Sequence, residues 1–98
     1  MEIILKNRGG GKTAELIRRS AKSGLYILTK DYARSRAVAE QARDMGINIP
    51  FPVTVADYMH SDGFNGSFIN KIYIDDADDI LQAIFCRVQI EAATITKD

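Results

Sequence analysis

The chain has no tryptophan, one cysteine, one histidine and two prolines among its 98 residues. A single Cys86 excludes an internal disulfide and offers no metal cluster. Its apolar neighbours read it as a small core residue. The lone His60 has no carboxylate partner in view, so it reads as a surface or structural group rather than a catalytic base. Pro50 and Pro52 bar a central strand at that connection. No apolar run approaches a membrane span, and the N-terminus lacks a signal-peptide pattern. Together these absences lead to the expectation of a cytoplasmic protein with no membrane partner. No aromatic or Asn/Asp pattern marks a preference for adenine or guanine. Internal repeats, low-complexity segments and linkers are also missing, so residues 1–98 read as one small domain.

What is present is ordinary in bulk and uneven in detail. Hydrophobic residues make up 46% and charged residues 27%, as in a soluble globular protein. A chain of this size buries roughly 60% of its unfolded surface, so its core is modest. The net charge is zero, yet residues 1–50 carry ten Lys/Arg against five Asp/Glu, and residues 51–98 carry three against eight. A phosphate site facing a metal-holding carboxylate would produce this split, and so would two unrelated solvated faces.

The most informative stretch is Lys6-Asn7-Arg8-Gly9-Gly10-Gly11-Lys12-Thr13. It follows the apolar run Ile3-Ile4-Leu5 and opens the helical pattern Ala14-Glu15-Leu16-Ile17. Strand, glycine loop and helix in that order form a phosphate cradle. Glycines let successive N–H groups turn toward one phosphate. The helix N-terminus adds positive dipole. Lys12 then supplies charge to the β- and γ-phosphates, and Thr13 a hydroxyl to Mg²⁺. The full pattern has glycine where this chain has Lys6. The alternative is a glycine-rich turn that binds nothing.

Five strands are expected, at Glu2–Leu5, Leu25–Thr29, Val53–Val55, Lys71–Ile74 and Val88–Thr96, with helices between them. Gly24 is expected to stop the first helix and Asp31 to cap the second, which runs to about Met45. Arg34, Arg36 and Arg43 point mostly away from that helix's apolar stripe and read as a solvated face rather than a nucleic-acid patch. Residues 60–70 contain Gly63 and Gly66 and read as a loop or hairpin. Lys71-Ile72-Tyr73-Ile74-Asp75-Asp76 is an apolar strand that ends abruptly in two carboxylates. Ligands of open α/β sheets sit at that strand edge. Asp75 there reaches the metal held by Thr13, and Asp76 orients or deprotonates a water. The competing reading is that Asp75 and Asp76 cap the helix expected over Ala77–Cys86.

Gly11-Lys12-Thr13 resembles a Walker A ending, and Ile72-Tyr73-Ile74-Asp75-Asp76 resembles a Walker B strand. The chain is thereby similar to the minimal P-loop NTPase core of helicases, RecA-like ATPases and viral terminases. It also resembles small P-loop proteins carried by phages and mobile elements of Gram-positive bacteria. The resemblance implies a three-layer α/β/α domain with a mainly parallel five-stranded sheet in the order 5-1-4-3-2. It implies ATP or another NTP as ligand, held by Asn7, Arg8, Gly9, Gly10, Gly11, Lys12 and Thr13. It implies Mg²⁺ on Thr13 and Asp75, with Asp76 and Arg8 as catalytic groups of a weak ATPase. Ala93-Thr94-Ile95-Thr96 stands where those families sense the γ-phosphate. Asp76 departs from the glutamate that the families carry there. Two alternatives stay open: a non-catalytic module binding a phage or host protein, and an accessory protein binding DNA through the basic half.

Overall fold

The computed structural model describes residues 1–6 and 11–96. Among them helices and short strands alternate: α1 (Lys12–Ser23), β1 (Ile27–Thr29), α2 (Tyr32–Asp44), β2 (Val53–Thr54), α3 (Val55–His60), β3 (Tyr73–Ile74) and α4 (Ala77–Ile84). Local chemistry sets the boundaries. Gly24 takes φ 76°, and its N–H donates to the Ser20 carbonyl at 2.8 Å, closing α1. The Asp31 carboxylate accepts the Arg34 N–H at 2.8 Å and starts α2. Thr54 and Asp57 form a reciprocal capping box at α3, which satisfies two otherwise orphan donors. It turns the chain into a helix at Val55.

The sheet overturns the expected architecture. It has three parallel strands in the order β2-β1-β3, not five in the order 5-1-4-3-2. Ile27–Thr29, expected at an edge, is central: Leu28 lies opposite Val53 on one side and Ile74 on the other. Residues 2–5 and 88–96 are not strands. Both runs have the composition of strands, but a strand exists only through its ladder bonds. At the start of the C-terminal run, two of those backbone groups are bonded to a side chain instead. The Gln82 amide donates to the carbonyls of Phe85 and Val88 at 3.2 and 2.7 Å and accepts the Ile90 N–H at 3.1 Å. Residues 93–96 are exposed and outside the sheet, so the γ-phosphate-sensing segment expected there is not built. At the N-terminal run, Arg19 of α1 donates two bonds to the Glu2 carboxylate, each 2.8 Å, and Ile4 packs on the core without joining the ladder.

Both sheet faces are covered. Ile27 packs with Leu16, Ile17, Val38 and Ala42, whereas its neighbour Leu28 packs with Val55 and Ile80. Successive strand residues point to opposite faces, so α1 and α2 cover one side and α3 and α4 the other. Ile17, Ile27 and Val38 are fully buried, and burial of each stabilises the fold by about 1.5–3 kcal/mol. The helix expected to reach Cys86 stops at Ile84. Cys86 therefore lies beyond it and is exposed, not a core residue. His60 ends α3 and is exposed. No helix among the described residues is long and apolar enough to cross a membrane.

Candidate functional site

The chain leaves β1 toward β2 on one side and returns as β3 on the other, so the strand order reverses across β1. A crevice at the carboxyl ends of the strands is the usual ligand position at such a point. Three elements deliver polar side chains there. α1 begins with Lys12 and Thr13, the first turn of α2 carries Arg34, and β3 runs straight into Asp75.

Asp75 is only 3% exposed. Its backbone N–H donates to the Leu28 carbonyl at 3.0 Å, extending the ladder one residue past β3. Its carboxylate joins two distant parts of the chain. Thr13 Oγ1 donates to Oδ1 at 3.1 Å, and Arg34 Nε donates to Oδ2 at 2.7 Å. Arg34 Nη2 also donates to Thr13 Oγ1 at 2.8 Å. The three side chains thus form a closed triangle in which the hydroxyl accepts from Arg34 and donates to Asp75. A buried carboxylate is tolerated only when paired and hydrogen-bonded, and both partners are supplied here. The Arg34 guanidinium is pushed above its ordinary value, chiefly by the Asp75 hydrogen bond. Partial burial opposes that shift, and the charges of Asp75, Asp76 and Asp79 add to it.

Arg34 is the residue that sequence reasoning misplaced. It does not lie on a solvated helix face. Arg36, paired with exposed Glu40 at 3.9 Å, and Arg43 are exposed as expected. The available signal was position: Arg34 stands three residues after the Asp31 cap, directly behind the end of β1.

The two consecutive carboxylates diverge. Asp76 has φ 54° and ψ 80°, a left-handed conformation that Asp adopts more readily than most residues. It occupies the N-cap position of α4 yet makes no side-chain capping bond. Asp75 is thus not a helix cap, and Asp76 holds the cap position without a side-chain capping bond. Asp75 faces Thr13 and Arg34, and Asp76 faces Lys12, with Nζ to Oδ1 at 3.7 Å. With Lys30–Asp79 at 3.9 Å and Arg34–Asp75, this makes three ion pairs between the basic half and the acidic cluster.

Gly11 precedes Lys12 with φ 80°, and its carbonyl accepts the Glu15 N–H at 3.0 Å. Among the described residues an added Cβ would meet nothing within 4 Å, so the need for glycine that they show is in the backbone. Gly11→Ala should cost about 1 kcal/mol, a fall in Tm of roughly 5 °C. A thermal melt beside the parent checks this. Asn7, Arg8, Gly9 and Gly10, expected to complete the phosphate cradle, lie outside the described residues.

Thr13 and Asp75 offer a hydroxyl and a carboxylate oxygen 3.1 Å apart. These hard oxygen donors suit Mg²⁺, which takes few protein ligands and keeps waters or phosphate oxygens for the rest. No cluster of three or more His, Cys, Asp or Glu forms among the described residues. An all-protein cage is therefore not what this pair belongs to. An open apolar hollow of about 430 Å³ lies on the α4 face, lined by Leu28, Val55, Ile72, Ile80 and Ile84 among others. It includes none of the charged groups above. Compared with known protein families, curated proteins and solved structures, the chain finds no match.

Proposed function

We propose that the chain is a cytoplasmic P-loop domain that binds ATP or another nucleoside triphosphate together with Mg²⁺. The observation that carries this reading is the Thr13–Asp75 hydrogen bond, made across 62 residues of chain. The first turn of the helix behind the glycine loop and the carboxylate at the end of an apolar strand meet at the ligand edge of the sheet. Lys12, about one-third exposed, is placed at the N-terminus of α1 to take a phosphate oxygen. Its present partner Asp76 is equally exposed, and such a pair is worth only about 0–1 kcal/mol, so a phosphate replaces it readily. Thr13 and Asp75 would hold Mg²⁺, which when bound neutralises charge on the phosphate oxygens. Asp76, released by Lys12, is then positioned to orient a water. Arg8, in the loop, is the group proposed to stabilise transferred charge.

The shorter reach of Asp76 and its engagement with Lys12 favour a second form of this reading, in which the nucleotide binds without turnover and the domain acts on a phage or host protein. The DNA-binding alternative is weakened by the ion pairs. Lys6, Lys12, Arg19, Lys30, Arg34 and Arg36 each face a carboxylate, which leaves less free positive surface than the count suggests.

Calorimetric titration with ATP and GTP, with and without Mg²⁺, tests the proposal. Binding is expected and should strengthen with Mg²⁺; absence of binding by either nucleotide removes it. Asp76→Asn should leave binding nearly intact and abolish phosphate release, because a water-orienting carboxylate acts chiefly in the transition state. No phosphate release from the parent selects the non-catalytic form.

A further inference from the structure

A metal ion on Thr13 and Asp75 must contend with the group already bonded to both. Arg34 Nε lies 2.7 Å from Asp75 Oδ2 and Nη2 lies 2.8 Å from Thr13 Oγ1. One planar guanidinium therefore bonds both side chains proposed as metal ligands, at Thr13 Oγ1 and at the Asp75 oxygen next to the one that accepts from Thr13. Mg²⁺ requires its oxygens at about 2.0–2.1 Å and in near-octahedral directions. It would sit within a few ångströms of the guanidinium, beside a carboxylate that is 3% exposed. Two cations that close repel strongly where water screens little. Yet the buried carboxylate requires one of them.

We propose that Arg34 is the resident cation of the Thr13–Asp75 pair, and that a divalent metal ion binds there only in exchange for it. The inference rests on reading Thr13 and Asp75 as the metal-side pair of a nucleotide site. The two cations differ in mobility. Asp75 is fixed by its own backbone bond to Leu28. Arg34 is about one-third exposed and extends on a flexible stem from the first turn of α2, so rotation carries its head toward solvent without moving the helix. A guanidinium released there stays at the same sheet edge as Lys12. It can then bond a phosphate oxygen in the bidentate manner that arginine favours. Metal entry would thus convert an internal counter-charge into a ligand-facing one.

Amide NMR spectra of the protein with Mn²⁺ alone, without nucleotide, test the exchange. In Arg34→Gln, the Thr13 and Asp75 amides should broaden at roughly tenfold lower Mn²⁺ than in the parent, because the competing charge is gone. Arg34→Lys keeps a charge but cannot span both oxygens, so it should fall between them. Arg34→Gln/Asp75→Asn should show no selective broadening. Equal Mn²⁺ requirements in the parent and Arg34→Gln overturn the proposal, as does the absence of broadening in Arg34→Gln. Should Arg34→Gln fail to fold, Arg34→Lys decides: a lower Mn²⁺ requirement than the parent supports exchange, and an equal one overturns it. ATP titration of the parent separates the two claims. Metal exchange without ATP binding removes the nucleotide reading and keeps the exchange, whereas ATP binding with equal Mn²⁺ responses does the reverse.

Discussion

Arg34→Ala should destabilise the fold by about 3 kcal/mol, a fall in Tm of roughly 15 °C. The loss is that large because of what stays behind. Asp75 would keep only the Thr13 hydroxyl against a negative charge that is 3% exposed. Removing one member of a buried pair costs far more than the pair itself is worth, because the other charge is left uncompensated. Asp75→Asn should cost less, about 1–2 kcal/mol. The orphaned guanidinium is about one-third exposed and can turn to water, and asparagine still offers an oxygen to Thr13. Chemical denaturation of both variants and of the double variant measures the order. The double variant should fall below the sum of the singles, because both remove the same contact. A greater loss in Asp75→Asn than in Arg34→Ala would mean that Asp75 does not depend on the Arg34 charge for its burial.

Lys12→Ala should abolish detectable nucleotide binding and leave stability within about 1 kcal/mol of the parent. Lys12 is about one-third exposed at the first position of α1, and its pairing with Asp76 at 3.7 Å is long. Its removal opens no cavity and buries no unpaired group. The loss falls instead on the charged contact to phosphate, one of the stronger kinds of hydrogen bond. Calorimetry and a thermal melt on the same sample check the two halves together. A variant that binds as the parent does would remove Lys12 from the phosphate site. A variant that unfolds would make it a structural residue.

The parts of this arrangement that are legible in the sequence are those set by local chemistry. Gly24 stops α1 because only glycine takes φ 76° without strain, and Asp31 starts α2 through its own carboxylate. The apolar run ending in Asp75 shows where a strand ends, and the resemblance to Walker motifs pairs that carboxylate with Thr13, which lies 3.1 Å from it. What is illegible is set by competition between distant groups. Residues 2–5 and 88–96 carry strand composition, but Arg19 ties the Glu2 side chain to α1, and the Gln82 amide engages the Val88 carbonyl and the Ile90 N–H. Neither side chain advertises this in its neighbourhood. The sheet order fails for the same reason: which strand lies centrally is decided by cross-chain pairing, not by how apolar each segment is. Arg34 was illegible because a helix's periodicity separates inward from outward faces but says little about its first turn. There a long side chain can reach past the helix end to a carboxylate 41 residues away.

Asp75 holds two positions at once. Its side chain closes the triangle with Thr13 and Arg34, and its amide makes the last rung between β3 and β1. Strands of two and three residues have few rungs to lose, so loosening the carboxylate and fraying the sheet become one cooperative event. Hydrogen–deuterium exchange at the Asp75 amide is then a direct meter of site occupancy. Anything that grips the carboxylate slows exchange there, even when it touches no backbone atom.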